Sequence, residues 1–156
     1  MIEISIMKIA VITNFWKNSE GGGIKAYVVN LVDTLNDGND EVSVLFREGA
    51  DGNNFSGGRN KILFSFHCYW QLRKIRPDVI HSHGEWFCLL PGGVYKLLNG
   101  CTLIHTFHSE PYKKLPFPTN NLFQGLLLYF IHRAGRFLFC EGSGHYTELP
   151  SAHGRA

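Results

Sequence analysis

Apolar positions along this chain switch repeatedly between continuous runs and a helical spacing. The first run, Lys8-Ile9-Ala10-Val11-Ile12-Thr13, reads as a buried strand. A polar stretch from Asn14 to Glu20 and three consecutive glycines follow, and then Ile24, Val28, Leu31, Val32 and Leu35 recur at the helical period. One face of that helix is apolar and must pack on something. Asn36 to Asp40 is a turn, and the β-rich run Glu41 to Phe46 closes a first β-α-β unit. Gly49 to Asn60 is polar and glycine-rich, so it reads as a loop and as the segment expected to move most.

The alternation continues beyond it. Lys61 to Phe64 reads as a short strand and Ser65 to Arg76 as a helix ended by Pro77. Asp78-Val79-Ile80-His81-Ser82-His83 reads as a buried parallel strand. Phe87 to Leu98 is a helix weakened at Pro91-Gly92-Gly93 and stopped by Asn99-Gly100, and Thr102 to His108 is another strand. Lys113 to Asn121 is a loop leading into a helix from about Leu122 to Arg133, apolar on most sides and hence buried or an interface. Arg136 to Cys140 is a last strand, and Glu141 to Ala156 has no periodicity and reads as a poorly ordered tail. Strands alternating with helices predict an α/β fold: a Rossmann-like, doubly wound, mostly parallel sheet with helices on both faces, spanning residues 1–140.

Composition narrows the classes. At 156 residues the chain holds one full domain and is too short for a standard two-domain enzyme. A net charge of +2 is too weak to argue for nucleic acid, although Lys113-Lys114 and Arg133 with Arg136 cluster locally. Cys68, Cys88, Cys101 and Cys140 form no C-x-x-C pair and read as small buried hydrophobes in a reducing compartment. Glu3 and Lys8 interrupt any secretory leader, and the greasiest run, Leu126 to Ile131, falls far short of the roughly 20 residues of a membrane span. The expectation is a cytoplasmic protein, with peripheral contact at a membrane surface still compatible.

The candidate chemistry lies where strands end. A glycine-rich turn between strand and helix points backbone N–H groups and the positive end of the helix dipole at its occupant, which favours a phosphate or another anion. Gly21, Gly22 and Gly23 stand in such a turn, although not with the dinucleotide-binding spacing. The alternative is a loop that needs glycine only to turn and to start the helix. In an open parallel sheet, ligands bind outside the carboxyl ends of the strands. That rim collects Asn14 and the glycines, His81-Ser82-His83-Gly84-Glu85, and His108-Ser109-Glu110. Two-residue alternation puts His81 with His83 on one face and His105 with Phe107 on one face. His108 and then His83 rank as functional, with His81 and His105 as structural residues. Glu85 suits a polyol ligand or is a solvated loop carboxylate. The His81-Ser82-His83 spacing also matches metal-dependent hydrolases, but those sit on barrels of about 250 residues, which this chain cannot build.

Four segments in order, Met-Lys-Ile-Ala-Val-Ile-Thr, the glycine triplet opening a helix, Pro-Asp-Val-Ile-His-Ser-His-Gly and His-Thr-Phe-His-Ser-Glu-Pro, resemble the N-terminal domain of group 1, or family four, GT-B glycosyltransferases. The resemblance covers about Met7 to Cys140. It implies retaining transfer of a sugar from a nucleoside diphosphate sugar to a hydroxyl acceptor, a glycolipid or polysaccharide precursor, with no metal or other cofactor. It implies that Gly21, Gly22 and Gly23 approach the donor diphosphate, and that His108 lines the catalytic cleft. His83 and Glu85 match the acceptor rim, with Ser109 beside them. Lys113, Lys114 and the helix after them match the part of the fold that meets lipid or a lipid-linked acceptor. The family's C-terminal, donor-binding domain has no counterpart here, so the expectation is an acceptor-side half inactive alone. The alternatives are a non-catalytic subunit docking on a separate donor-binding chain and, behind it, the metal-dependent hydrolase.

Overall fold

The computed structural model describes residues 6–52, 54–58 and 60–108 together with two later strands, Arg136–Cys140 and Tyr146–Glu148. The elements run β1 (Lys8–Phe15), α1 (Gly22–Asp37), β2 (Glu41–Glu48), β3 (Phe55–Ser56), α2 (Lys61–Ile75), β4 (Val79–His83), α3 (Trp86–Asn99), β5 (Thr102–Phe107), β6 (Arg136–Cys140) and β7 (Tyr146–Glu148). They form one seven-stranded sheet in the order β3-β2-β1-β4-β5-β6-β7, parallel except for the antiparallel β6–β7 edge.

The chain moves outward from β1 to β2 and then, in the opposite sense, from β4 to β5. Crossovers are right-handed, so this reversal sends the connecting helices to opposite faces. Alternation along the strands delivers a core to each face. On one side Val28 and Val32 of α1 pack on Ile9, Val11, Val44 and Phe46. On the other, Phe64, Cys68 and Leu72 of α2 and Phe87, Cys88 and Tyr95 of α3 pack on Ala10, Ile12, Leu45, Ile80 and Leu103. Burying each large aliphatic or aromatic side chain stabilises the fold by about 1.5–3 kcal/mol before entropy is counted.

Three expectations change. Lys61 to Phe64 is not a strand but the first turn of α2, because the Asn60 side chain caps it by accepting from the Ile62 and Leu63 amides. The helix ends as expected, with Arg76 in the left-handed conformation ahead of Pro77. Second, α3 runs unbroken through Pro91, from Trp86 to Asn99. Proline cannot donate to the carbonyl four residues back, that of Phe87, and the Ser65 hydroxyl of α2 lies 2.8 Å from that oxygen in the buried interface. Gly92 brings the helix close to the sheet: a Cβ there would stand 3.0 Å from Leu103 Cδ1. Third, the segment read as a tail contains β7, and the Gly49–Asn60 loop contains β3. Strands of three and two residues are too short to leave a periodic signal. The expected helix near 122–133, Lys113, Lys114 and Ser109 lie outside the described residues.

Candidate functional site

Strands β1, β4 and β5 are neighbours at the centre of the sheet, and the order reverses between β1 and β4. A crevice opens at such a reversal, outside the carboxyl ends of the strands. On the β1 side stands the start of α1. Two glycines of the triplet have separate conformational reasons. A Cβ on Gly21 would fall 2.2 Å from Phe15 Cβ, and Gly22 has φ +55°, whereas Gly23 meets neither constraint and has open space around it. No side chain caps α1, and its first turn carries no acidic residue. Its leading amides and dipole therefore face outward with positive character.

On the β4 and β5 side, alternation divides the polar residues between the faces. Register pairs His83 with Thr106 and Ser82 with His105. Ser82 and His105 point to the α2/α3 face, fully buried, with Ser82 Oγ 2.8 Å from His105 Nδ1. His81, His83, Thr106 and His108 point to the α1 face. There His81 Nε2 lies 2.9 Å from Thr106 Oγ1, and the His81 and His83 rings sit 4.1 Å apart. His108 Nε2 approaches His83 Nδ1 at 3.4 Å, the long end of hydrogen bonding. The turn after β4 is made by Gly84, with φ +92°, whose amide donates to the Thr106 carbonyl and locks the two strand ends together.

Tyr27 joins the two halves of the site. It lies one helical turn beyond Gly23 on α1, and its ring meets the His83 ring edgewise at 5.7 Å and the His108 ring at 5.4 Å. Sequence reasoning missed it, although Tyr27 lies three residues after Ile24 and four before Leu31 and packs on the same apolar cluster. The signal that could have found it is its four-residue spacing from the glycine turn.

His81, His83, His105 and His108 are neutral at physiological pH. Burial lowers His81 to about 4, helped by the nearby His108, and lowers His105 to about 3. His83 is pushed well below its ordinary value by burial and then by its histidine neighbours, and His108 is lowered by burial. A neutral imidazole offers one donor and one acceptor. His83 is fully buried, and its Nε2 has no hydrogen-bond partner. An atom in that position has an unmet demand for a polar ligand.

Glu85 stands apart from this cluster. It precedes the first residue of α3, and its carboxylate takes the Lys61 ammonium of α2 at 2.9 Å, on the opposite flank of the rim from Tyr27. Arg47, at the end of β2, sits over the Phe87 ring and donates to Asn14 Oδ1. Among the described residues no group of three or more His, Cys, Asp or Glu is arranged to hold a metal ion. The His81 and His83 rings lie side by side, with His81 engaged by Thr106. Cys68 and Cys88 are buried free thiols, and Cys101 is partly buried.

The family model Glycosyltransferase Family 4 matches residues 21–143, more than three quarters of the chain. The chain belongs to glycosyltransferase family 4. The match begins at Gly21, so the glycine turn and both histidine-bearing strand ends of this family 4 domain lie inside it. Two solved structures share the fold. A protein from Listeria monocytogenes described as a UDP-N-acetylglucosamine 2-epimerase aligns at TM-score 0.50 and 13% identity, over 85% of this chain and 38% of its own. A second UDP-N-acetylglucosamine 2-epimerase aligns at TM-score 0.52 and 10% identity, over 90% of this chain and 43% of its own. The family 4 domain therefore spans about two fifths of the length of each. No curated protein sequence matches it. Among its described residues no helix is long and apolar enough to cross a membrane.

Proposed function

We propose that this family 4 domain forms the acceptor-side wall of a retaining glycosyltransferase that moves a sugar from a nucleoside diphosphate sugar to a hydroxyl, with no metal ion. The observation that carries the proposal is the neutral His83–His108 pair facing Tyr27, one turn from an uncapped, glycine-opened helix start. The two halves of the crevice suit the two ends of such a donor. The α1 amides and dipole match a diphosphate. The neutral imidazoles match sugar hydroxyls, because they exchange hydrogen bonds in both senses without placing a cation beside the anomeric carbon.

In this reading His108 touches the sugar undergoing transfer, while the buried His83 holds the His108 ring. Gly23 leaves space for the diphosphate to approach the backbone. The nucleotide would be held by a second domain closing over the rim, and this domain alone would turn over negligibly, because closure excludes water and completes the site. Glu85, tied to Lys61, contributes to the acceptor rim through its position rather than as a free carboxylate.

The test is to supply the whole protein with nucleoside diphosphate sugars and polyol, glycolipid and saccharide acceptors, and to follow nucleoside diphosphate release and product anomer. Acceptor-dependent release with the donor's anomeric configuration kept in the product is the expected result. Epimerisation or hydrolysis of the donor at an unchanged rate without acceptor would overturn it.

A further inference from the structure

The end of the sheet opposite the crevice holds a cavity of its own. Where α2 and α3 finish and β4 and β5 begin, a hollow of about 680 Å³ is lined by Arg73, Arg76, Asp78, Tyr95, Asn99 and Thr102, with Cys101 beside them. That volume lies in the range of small-ligand pockets. The five residues of β4, roughly 15 Å of extended chain, separate it from the histidines at the other end of the strand.

Tyr95 makes this hollow more than a gap between helix ends. The residue packs in the α2/α3 core and is only 4% exposed, yet its hydroxyl makes no hydrogen bond among the described residues; Asn99 Nδ2 takes its backbone carbonyl instead. A buried phenol normally has a partner. Burial and the Cys101 thiol raise the Tyr95 phenol, and Arg76 and Arg73 pull it back, so it stays a donor with both guanidiniums close by. Cations in the last turn of a helix often serve its final carbonyls. Here backbone amides do that work, Arg76 N–H on the Leu72 carbonyl and Gly100 N–H on that of Lys96. Neither arginine side chain makes an ion pair or a hydrogen bond among the described residues. Asp78, the single carboxylate in the wall, accepts from the Lys8 amide at 2.9 Å. Two unspent guanidiniums and a phenol donor match a phosphate, and Asn99 and Thr102 suit hydroxyl groups. The one aromatic ring in the wall is the buried Tyr95, which leaves no open face on which a nucleobase would stack.

We propose that this hollow binds a soluble, sugar-sized phosphate monoester, its phosphate held by Arg73, Arg76 and the Tyr95 hydroxyl. The site lies at the amino ends of β4 and β5 and the crevice at their carboxyl ends, so its ligand does not compete for the reacting site. It stands or falls independently of the reaction assigned there.

The test is calorimetric titration of the full chain with the hexose monophosphates of glucose, mannose and fructose, and with glucose alone. The expected result is binding of at least one monophosphate, weakening as salt rises, and none of glucose. Arg73→Gln with Arg76→Gln should lower the affinity roughly hundredfold and Tyr95→Phe roughly fivefold, the scales for losing charge-assisted and neutral hydrogen bonds. A second reading needs no variant to fold. A saturating monophosphate should slow alkylation of the wild-type Cys101 by N-ethylmaleimide, followed by peptide mass spectrometry, because Cys101 lines the hollow while Cys68 and Cys88 are buried. Four results would overturn the proposal: no binding of any monophosphate, binding that the paired arginine substitutions leave unchanged and that therefore belongs to the glycine turn, an unprotected Cys101 at saturation, or binding only to phosphate groups on phosphatidylglycerol vesicles.

Discussion

The two faces of one strand pair, β4–β5, hold histidines in different settings. On the α2/α3 face, Ser82 and His105 are sealed together at 2.8 Å and packed on Phe107, whose ring meets His105 at 4.3 Å. On the α1 face, His83, one residue beyond Ser82, and His108, three beyond His105, approach at 3.4 Å, and His108 is half-buried. Residue type is the same on both sides, and so is the direction of the pKa shift. What separates the two here is the setting: His105 is sealed between the sheet and helices α2 and α3, whereas His108 stands half-buried at the crevice beside Tyr27.

The sharpest way to break this comparison is to delete one histidine from each face. His108→Ala should cut kcat of the whole enzyme by roughly a hundredfold, the scale for losing one preorganised polar contact at a reacting centre. Chemical denaturation should find its stability within roughly 1 kcal/mol of wild type. His105→Ala should do the reverse. It should destabilise the fold by roughly 2–4 kcal/mol, because a cavity opens and Ser82 loses its partner, while kcat per folded molecule barely changes. Equal effects of the two variants on turnover would erase the distinction.

Acid tests both faces at once. All four histidines bind protons less readily folded than unfolded, so the unfolded chain takes up protons first as pH falls. Stability should be full above the ordinary histidine value of 6.5 and decline as pH drops toward about 4 for His81 and about 3 for His105. Each pH unit in that window removes at most about 1.4 kcal/mol per histidine. Thermal melts between neutral pH and that range check the sign. His105→Leu should shrink the slope, and an unchanged slope would mean that this face does not titrate.

The glycine turn gives a smaller contrast. Gly21→Ala should cost roughly 1–3 kcal/mol through its clash with Phe15. Gly23→Ala should leave the fold unchanged or stabilise it by up to about 1 kcal/mol, since alanine suits a helix. It should nonetheless raise KM for the donor, because the methyl group occupies the approach to the backbone. An unchanged KM would restrict the triplet to turning the chain.

Much of this was legible in the sequence, for identifiable reasons. The strands β1, β2, β4 and β5 announce themselves through continuous apolar runs, and α1 through its repeat. Asn99-Gly100 and Arg76-Pro77 mark helix ends by local torsion alone. What was lost depended on contacts between distant segments. The helix through Pro91 was expected, but the carbonyl that Pro91 frees finds its partner in Ser65, twenty-two residues before Phe87, which no local rule could show. Asn60 capping α2 was readable and went unread, because the apolar run after it also fits a strand. In the site, alternation placed the histidines on their faces. Tyr27 and the Lys61–Glu85 pair needed the packing of α1 and α2 against the sheet.

The most direct measurement is a titration of the histidine side-chain resonances with a nucleoside diphosphate sugar that the whole protein turns over, followed by nitrogen-15 NMR. The account predicts that His83 and His108 shift on donor binding, with a tautomer fixed at His83, while His105 stays where it is. A donor that is consumed without moving His83 or His108, or that moves His105 instead, would contradict it.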